Sequence, residues 1–150
     1  MRWPAFHEAA HCSVGAGYFG HRIKTVWIGK RDGGYSPDTE WRPEYGVSER
    51  EFRLQEIIIL QAGRAALDHL NNCKHYYDDW EAGNDHKLSW KRALWLSDGD
   101  EVAAGHLLAY AMRRAELLVD KLWPQIYKLA FTLLEHLKLD AEQIEKTLAI

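Results

Sequence analysis

"FHEAAHCSVG", residues 6–15, sets two histidines four positions apart with a glutamate directly after the first. On a helix, positions four apart lie one above the other, so His7 and His11 can present two ring nitrogens to one cation. Glu8 projects about 100° away from His7, near enough to reach a water on that cation without being forced to bind it. This division of labour is why the His-Glu-x-x-His spacing suits zinc hydrolases. The cation brings the pKa of its water towards about 7, and a carboxylate takes the proton as the water attacks a carbonyl. A helical His pair also occurs as a plain surface feature, so the rest of the chain must carry weight. Cys12 sits one residue round from His11 and reads as a packed core thiol rather than a ligand.

The 150 residues, 47% hydrophobic and 27% charged, point to one domain over 1–150 with enough apolar content for a real core. The net charge of -3 and the scattered Lys and Arg, with no basic run beyond Arg113-Arg114, give no ground for a nucleic-acid or membrane-surface partner. Cys12 and Cys73 are too few for a disulfide framework or a cysteine-rich zinc knot, and read as two reduced thiols. No apolar run approaches the roughly 20 residues of a spanning helix. MRWPAFHEAAH carries charge too early for a signal-peptide core. A soluble cytoplasmic protein is the expectation.

Pro4 suits a first helical turn, and a helix is expected from there to Val14, ended by the glycines of GAGYFGH. RIKTVWIGK, residues 22–30, reads as a strand. Residues 30–34 read as a hairpin-like break, and GYSPDTEW as an irregular second strand that Pro37 confines to a sheet edge. Ser48 with Glu51 forms a capping-box signature opening a long buried helix that ends at Asn71-Asn72. A polar aromatic loop follows over 73–83, then a helix starting at Asn84 or Asp85 and broken at Asp98-Gly99-Asp100. Residues 100–138 are helical in pattern with a kink or restart at Pro124, and Asp140 with Gln143 caps a short last helix. The expected fold is mainly α with a small β-sheet, the sheet lying between the first two long helices. Trp90 and Trp95 read as packing residues; Trp27 and Trp41, beside the edge strand, are the better pocket candidates.

An open zinc site needs a third protein ligand. Position 17, where one zinc-protease pattern has a further His, is Gly. His75, Asp78, Asp79, Glu81, Asp85 and His86 are the candidates, and spacing alone does not choose among them.

Three separated stretches carry a family resemblance: "FHEAAHCSVG", "LQAGRAALDHL" (60–70) and "EAGNDHKLSWKRAL" (81–94). In their order and near their distances, the chain resembles the protease domain of the FtsH-type ATP-dependent zinc metallopeptidases over nearly its whole length. "IKTVWIG" and "GGYS" match that domain's strand and Gly-Tyr edge segment, and the C-terminal segment looks like its closing helices. The fold so implied is an HExxH, zincin-like helical protease domain with an edge strand. The resemblance implies that His7, His11 and Asp85 bind Zn2+ and that Glu8 is the general base. It implies too that the edge strand pairs with an extended substrate through backbone hydrogen bonds, which assigns Gly33, Gly34 and Tyr35 to substrate binding. His86 is then surface or second-layer, and Asn84 a helix cap. No oxyanion partner stands out; His21, Tyr35 and His75 are the side chains considered.

Departures from the family pattern matter. Ala10 replaces a usual Gly, and Leu67 stands where an acidic residue is usual, which moves any carboxylate there to Asp68 or loses it. Six residues precede His7 and no phosphate-binding GxxxxGK[ST] occurs, so the ATPase part and the membrane anchor are expected to be missing. The implied function is a stand-alone zinc endopeptidase acting on peptides or unfolded segments, or on substrate fed by a separate ATPase in trans, as one copy or as an oligomer. The alternative is a catalytically inactive peptidase-like module that binds extended peptides or a partner protein.

Overall fold

The computed structural model describes residues 2–29, 33–38, 47–71 and 80–149. Helix α1 (Arg2–Cys12) runs without a break into a π-helical turn, Ser13–Tyr18. The glycines at 15 and 17 therefore widen the helix instead of ending it. Tertiary packing overrides their low propensity: an added Cβ on Gly15 would sit 3.5 Å from Ile59 Cδ1 and 3.7 Å from Ile23 Cδ1. The chain turns only at Gly20, in the left-handed region at φ +72.

Strand β1 (Ile23–Ile28) pairs antiparallel with β2 (Gly33–Pro37) on one side and with β3 (Lys138–Asp140) on the other, giving the order β2-β1-β3. Gly33 and Gly34 stand in the strand, opposite Ile28 and Trp27, rather than in the turn. The turn residues 30–32 lie outside the described ones. Pro37 ends β2, an edge strand among the described residues, as expected of a residue without an N–H. β3 is an addition to the sequence expectation, which carried the helix through 138. Leu137 stops that helix in a left-handed conformation, φ 65, its N–H bonded to the Leu133 carbonyl at 2.7 Å. The next three residues then pair with β1.

Helix α2 (Glu49–Asn71) is the structural axis, packed against α1, α3 (Trp80–Leu96) and α4 (Glu101–Lys121). Its start is capped as expected, the Glu51 N–H bonding Ser48 Oγ at 3.1 Å. α3 begins at Trp80, earlier than Asn84, so Asn84 is an exposed residue inside a helix and not its cap. Positive φ at Asp98 and Gly99 separates α3 from α4. α4 ends at Lys121 and α5 (Trp123–His136) restarts with Pro124 in its first turn, where a missing N–H costs nothing. Asp140 and Gln143 bond reciprocally, side chain to backbone, at the head of α6 (Ala141–Leu148).

The core joins all layers: Phe6, Ala9 and Ala10 of α1, Val26 of β1, Ile57 and Ala62 of α2, Leu129 and Leu133 of α5, Leu139 of β3 and Ile144 of α6 are buried together. Ala10 is fully enclosed, so its methyl is accommodated. Phe6 stacks on Trp123 with ring centroids 5.5 Å apart, tying α1 to α5. Among the described residues no helix is long and apolar enough to cross a membrane.

Leu139 makes the short β3 measurable. Leu139→Ala should destabilise the protein by about 2–5 kcal/mol in urea denaturation. Asp140→Ala, which removes only a cap, should cost about 1 kcal/mol. A loss at Leu139 no larger than the cap's would mean that β3 contributes little to closing the core.

Candidate metal centre

Helical spacing on α1 places His7 and His11 one above the other, and both are buried among core residues. Their Nε2 atoms lie 3.0 Å apart. Asp85 arrives from α3, its Oδ2 at 3.0 Å from His7 Nε2 and 3.1 Å from His11 Nε2. Three donor atoms from two elements thus converge on one point, though they are 78 positions apart in sequence at the widest. Because α3 starts at Trp80, Asp85 reaches the histidines from the flank of the helix rather than from its first turn.

The donor set fits a zinc ion. Ligands about 2.0–2.1 Å from a tetrahedral ion stand roughly 3.3 Å from one another, close to the triangle seen here, and two imidazoles with one carboxylate leave a fourth position open. His11 Nδ1 lies 2.7 Å from the Ile59 carbonyl of α2. Donation there fixes the ring and points Nε2 at the shared position, where its lone pair becomes available once its proton is lost.

Glu8 is buried beside them. The ligand atoms of His7, Glu8 and His11 all lie within 4.8 Å of one another, so these three could also hold a metal ion. Glu8 Oε1 is 3.9 Å from His7 Nε2, farther than Asp85 stands from either ring. Asp85 is therefore the better third donor, which leaves Glu8 one step back, where a base acting on a water would stand.

Helix α2 orients the whole group. A Cβ on Gly63 would fall 2.6 Å from His7 Cε1 and 2.7 Å from its Nδ1, so the bare glycine is what admits the imidazole. Gln61 Nε2 donates to Ser89 Oγ at 2.8 Å, a buried bond between α2 and α3. Arg92 Nε pairs with Glu56 at 2.6 Å. Asp85, Ser89 and Arg92 follow helical spacing on one face of α3, so these contacts hold the carboxylate in place. Sequence reading quoted the Gly63 stretch without assigning it a role and passed over Gln61 and Ser89. A glycine inside an otherwise strong helical pattern was the available signal.

Strand β2 closes the centre. A Cβ on Gly33 would be 3.4 Å from Glu8 Cγ, and the Tyr35 ring lies 4.8 Å from the His11 ring, centroid to centroid. Both residues thus border the centre, whereas Gly34 faces the other way, against Trp27. Burial, then the Asp85, Glu56 and Glu8 carboxylates, push the Tyr35 phenol well above its usual pKa, so it stays a neutral donor.

The remaining candidates fall elsewhere. His86 is exposed. His21 bonds Gln55 Oε1 at 2.7 Å and stacks on Phe52, away from the donor triangle. Leu67 is buried and Asp68 half-buried, one turn beyond Gly63. Cys12 is a free, buried thiol, its pKa raised by burial and by Glu8. Trp95 is exposed beneath the Arg50 guanidinium rather than packed inside, whereas Trp90 lies against the core. His75, Asp78, Asp79, Trp41 and Cys73 lie outside the described residues, as does the Glu81 side chain.

Burial alone would lower the His11 pKa, but the Asp85 carboxylate beside it, with Glu8 and the Ile59 carbonyl, raises it to about 9. Burial likewise opposes ionisation of Asp85, yet the His11 and His7 rings hold its carboxyl well below the usual range. Near neutrality the pair is an imidazolium and a carboxylate.

No family model matches the chain, and no curated protein matches it.

Two outcomes follow from this geometry. Gly63→Ala should weaken zinc affinity by about 10–100-fold through the His7 ring while circular dichroism stays helical; unchanged affinity would show that the ring can give way. Since an ion must displace the His11 proton, zinc binding at pH 7 should release close to one proton. Apparent affinity should then rise about tenfold per pH unit and level off near pH 9. Calorimetry in buffers of different ionisation enthalpy reads this directly.

Proposed function

We propose that this protein is a zinc-dependent endopeptidase of the FtsH protease-domain type, hydrolysing peptides or unfolded protein segments. The observation that carries it is the triangle of His7, His11 and Asp85, with sides of 3.0–3.1 Å, beside the buried Glu8 carboxylate. His7, His11 and Asp85 would hold the ion. A bound zinc ion supplies Lewis-acid polarisation and an acidified water.

Glu8 takes a proton at its carboxylate and delivers it to the leaving amine, as a general base and then a general acid. Its enclosure against Gly33 excludes bulk water from that transfer. The edge of β2 offers backbone donors and acceptors to an extended chain, which would lay a peptide carbonyl beside Glu8. Tyr35, neutral and close to His11, is the side chain best placed to donate to a developing oxyanion. Binding through backbone gives little sequence choice, which suits unfolded segments. A separate ATPase acting in trans is compatible with that substrate class.

The place of β2 at the end of the strand order also supports a second reading, a module that binds extended peptides without turnover. Glu8 separates the two. Glu8→Gln should leave zinc bound and lower hydrolysis of unstructured casein by at least about a hundredfold. Equal cleavage by this variant and the native protein would remove Glu8 as the base, and binding without cleavage across a broad peptide set would favour the module. For the ligands, His11→Ala should abolish zinc binding, and Asp85→Ala should weaken it far more than His86→Ala; the reverse ranking in a zinc titration would reject Asp85.

A further inference from the structure

Helix α5 carries two apolar stripes. Ile126, Leu129, Ala130 and Leu133 are buried in the core. On the other side Tyr127 is 50% and Phe131 38% exposed, where a helix of a lone domain ordinarily turns polar residues to water. Both rings are packed from behind. Phe6 of α1, the residue before His7, meets them edge-on, its centroid 6.0 Å from Tyr127 and 6.2 Å from Phe131. The two outer rings lie 4.7 Å apart. The surface is thus held in shape, so little order has to be gained when something docks on it. A shallow groove of about 730 Å³ runs along this face, lined by Tyr127, Lys128, Phe131, Thr132, Leu134 and Glu135.

The charges on the groove select what fits it. Lys128 and Glu135 are exposed, and neither makes an ion pair among the described residues. Seven positions apart, they share one side of the helix, about 10.5 Å from each other along its axis, with Phe131 close to midway. A second α5 laid antiparallel across this face, with a twofold axis passing by Phe131, brings Lys128 of each copy against Glu135 of the other. A parallel copy would set lysine against lysine and glutamate against glutamate, which repel. The pattern is complementary to itself in one direction only.

We propose that a second copy of this chain docks here: two α5 helices pack antiparallel about Phe131 as a twofold dimer, fixed by two Lys128–Glu135 pairs. Tyr127, Phe131 and Leu134 supply the apolar contact, and their i, i+4, i+7 spacing is that of a helix-pair seam. With 14 residues α5 is about 21 Å long. The contact therefore lies at the small end of specific interfaces, and the dimer forms in the micromolar range. It does not rest on the peptidase reading, whose donors His7, His11 and Asp85 lie on α1 and α3.

Sedimentation velocity on the 150-residue chain, from about 1 to about 200 µM, tests it. The native protein should pass from monomer to dimer across that range. Lys128→Glu and Glu135→Lys should each weaken dimerisation about tenfold or more, because each sets like charges opposite one another at both ends. Mixed in equal amounts, these two variants should pair with each other. The chain carrying both substitutions should dimerise like the native protein. Damage to the fold would give neither rescue. A native protein still monomeric at the highest concentration, a dimer indifferent to both reversals, or single variants that fail to pair with each other overturns the proposal.

Discussion

The structure turns on one buried encounter: the Asp85 carboxylate held 3.0–3.1 Å from two enclosed imidazole nitrogens. Charges brought into a protein interior are expensive unless paired and hydrogen-bonded. Here two carboxylates, Asp85 and Glu8, meet two rings, and only positive charge makes the grouping tolerable. A proton on His11 supplies one unit, which is why its pKa stands near 9 in spite of its burial. A divalent cation would supply two and balance both carboxylates. The same geometry therefore favours a cation electrostatically and sets a proton in competition with it.

Helix α2 gives the encounter its rigidity. It contributes no ligand, yet it offers the Ile59 carbonyl to His11, the bare Gly63 backbone to His7, and Gln61 and Glu56 to the helix that carries Asp85. The candidate donors on α1 and α3 are thereby set against a common reference. A second layer of this sort decides whether donors stand at binding distance or an ångström too far. It also explains why a long helix lies between two short stretches of chemistry in the sequence: the spacer is the frame.

What could be read from the residues alone was local. Four-residue spacing on α1, the Ser48 and Asp140 caps, and Pro37 at an edge each depend on a few neighbouring positions, and each stands in the fold. The third donor depends on how α3 docks on α2, which spacing does not encode. Asp85 came forward through likeness of motif, and its neighbours gave no physical reason to choose it over His86. The errors share a cause. Glycines at 15 and 17 read by propensity as a helix end, yet they lie inside a continuous helix with Gly15 packed against Ile59 and Ile23; Gly33 and Gly34 read equally as turn residues or as sites of close approach, and they stand in the strand, with Trp27 filling the space over Gly34. Asn84 was weighed as a cap because the preceding turn of α3 carries few helix signals. β3, three residues long, has no periodicity to detect.

Strand β2 shows how much a two-residue repeat can organise. Because successive side chains point to opposite faces, five residues border the candidate metal centre with Gly33 and Tyr35 and turn Gly34 to the indole of Trp27. Neither glycine is there for flexibility, since the strand is paired and extended; each is there because an atom from elsewhere needs the room. Shifting the register by one residue would turn Tyr35 outward and set the indole against a tyrosine instead of a glycine. The β1 ladder, fixed on its other side by Leu139 against Val26, prevents that slip. The short third strand is thus coupled to the site it never touches: it holds β1, β1 holds the register of β2, and that register decides which residues border Glu8 and His11.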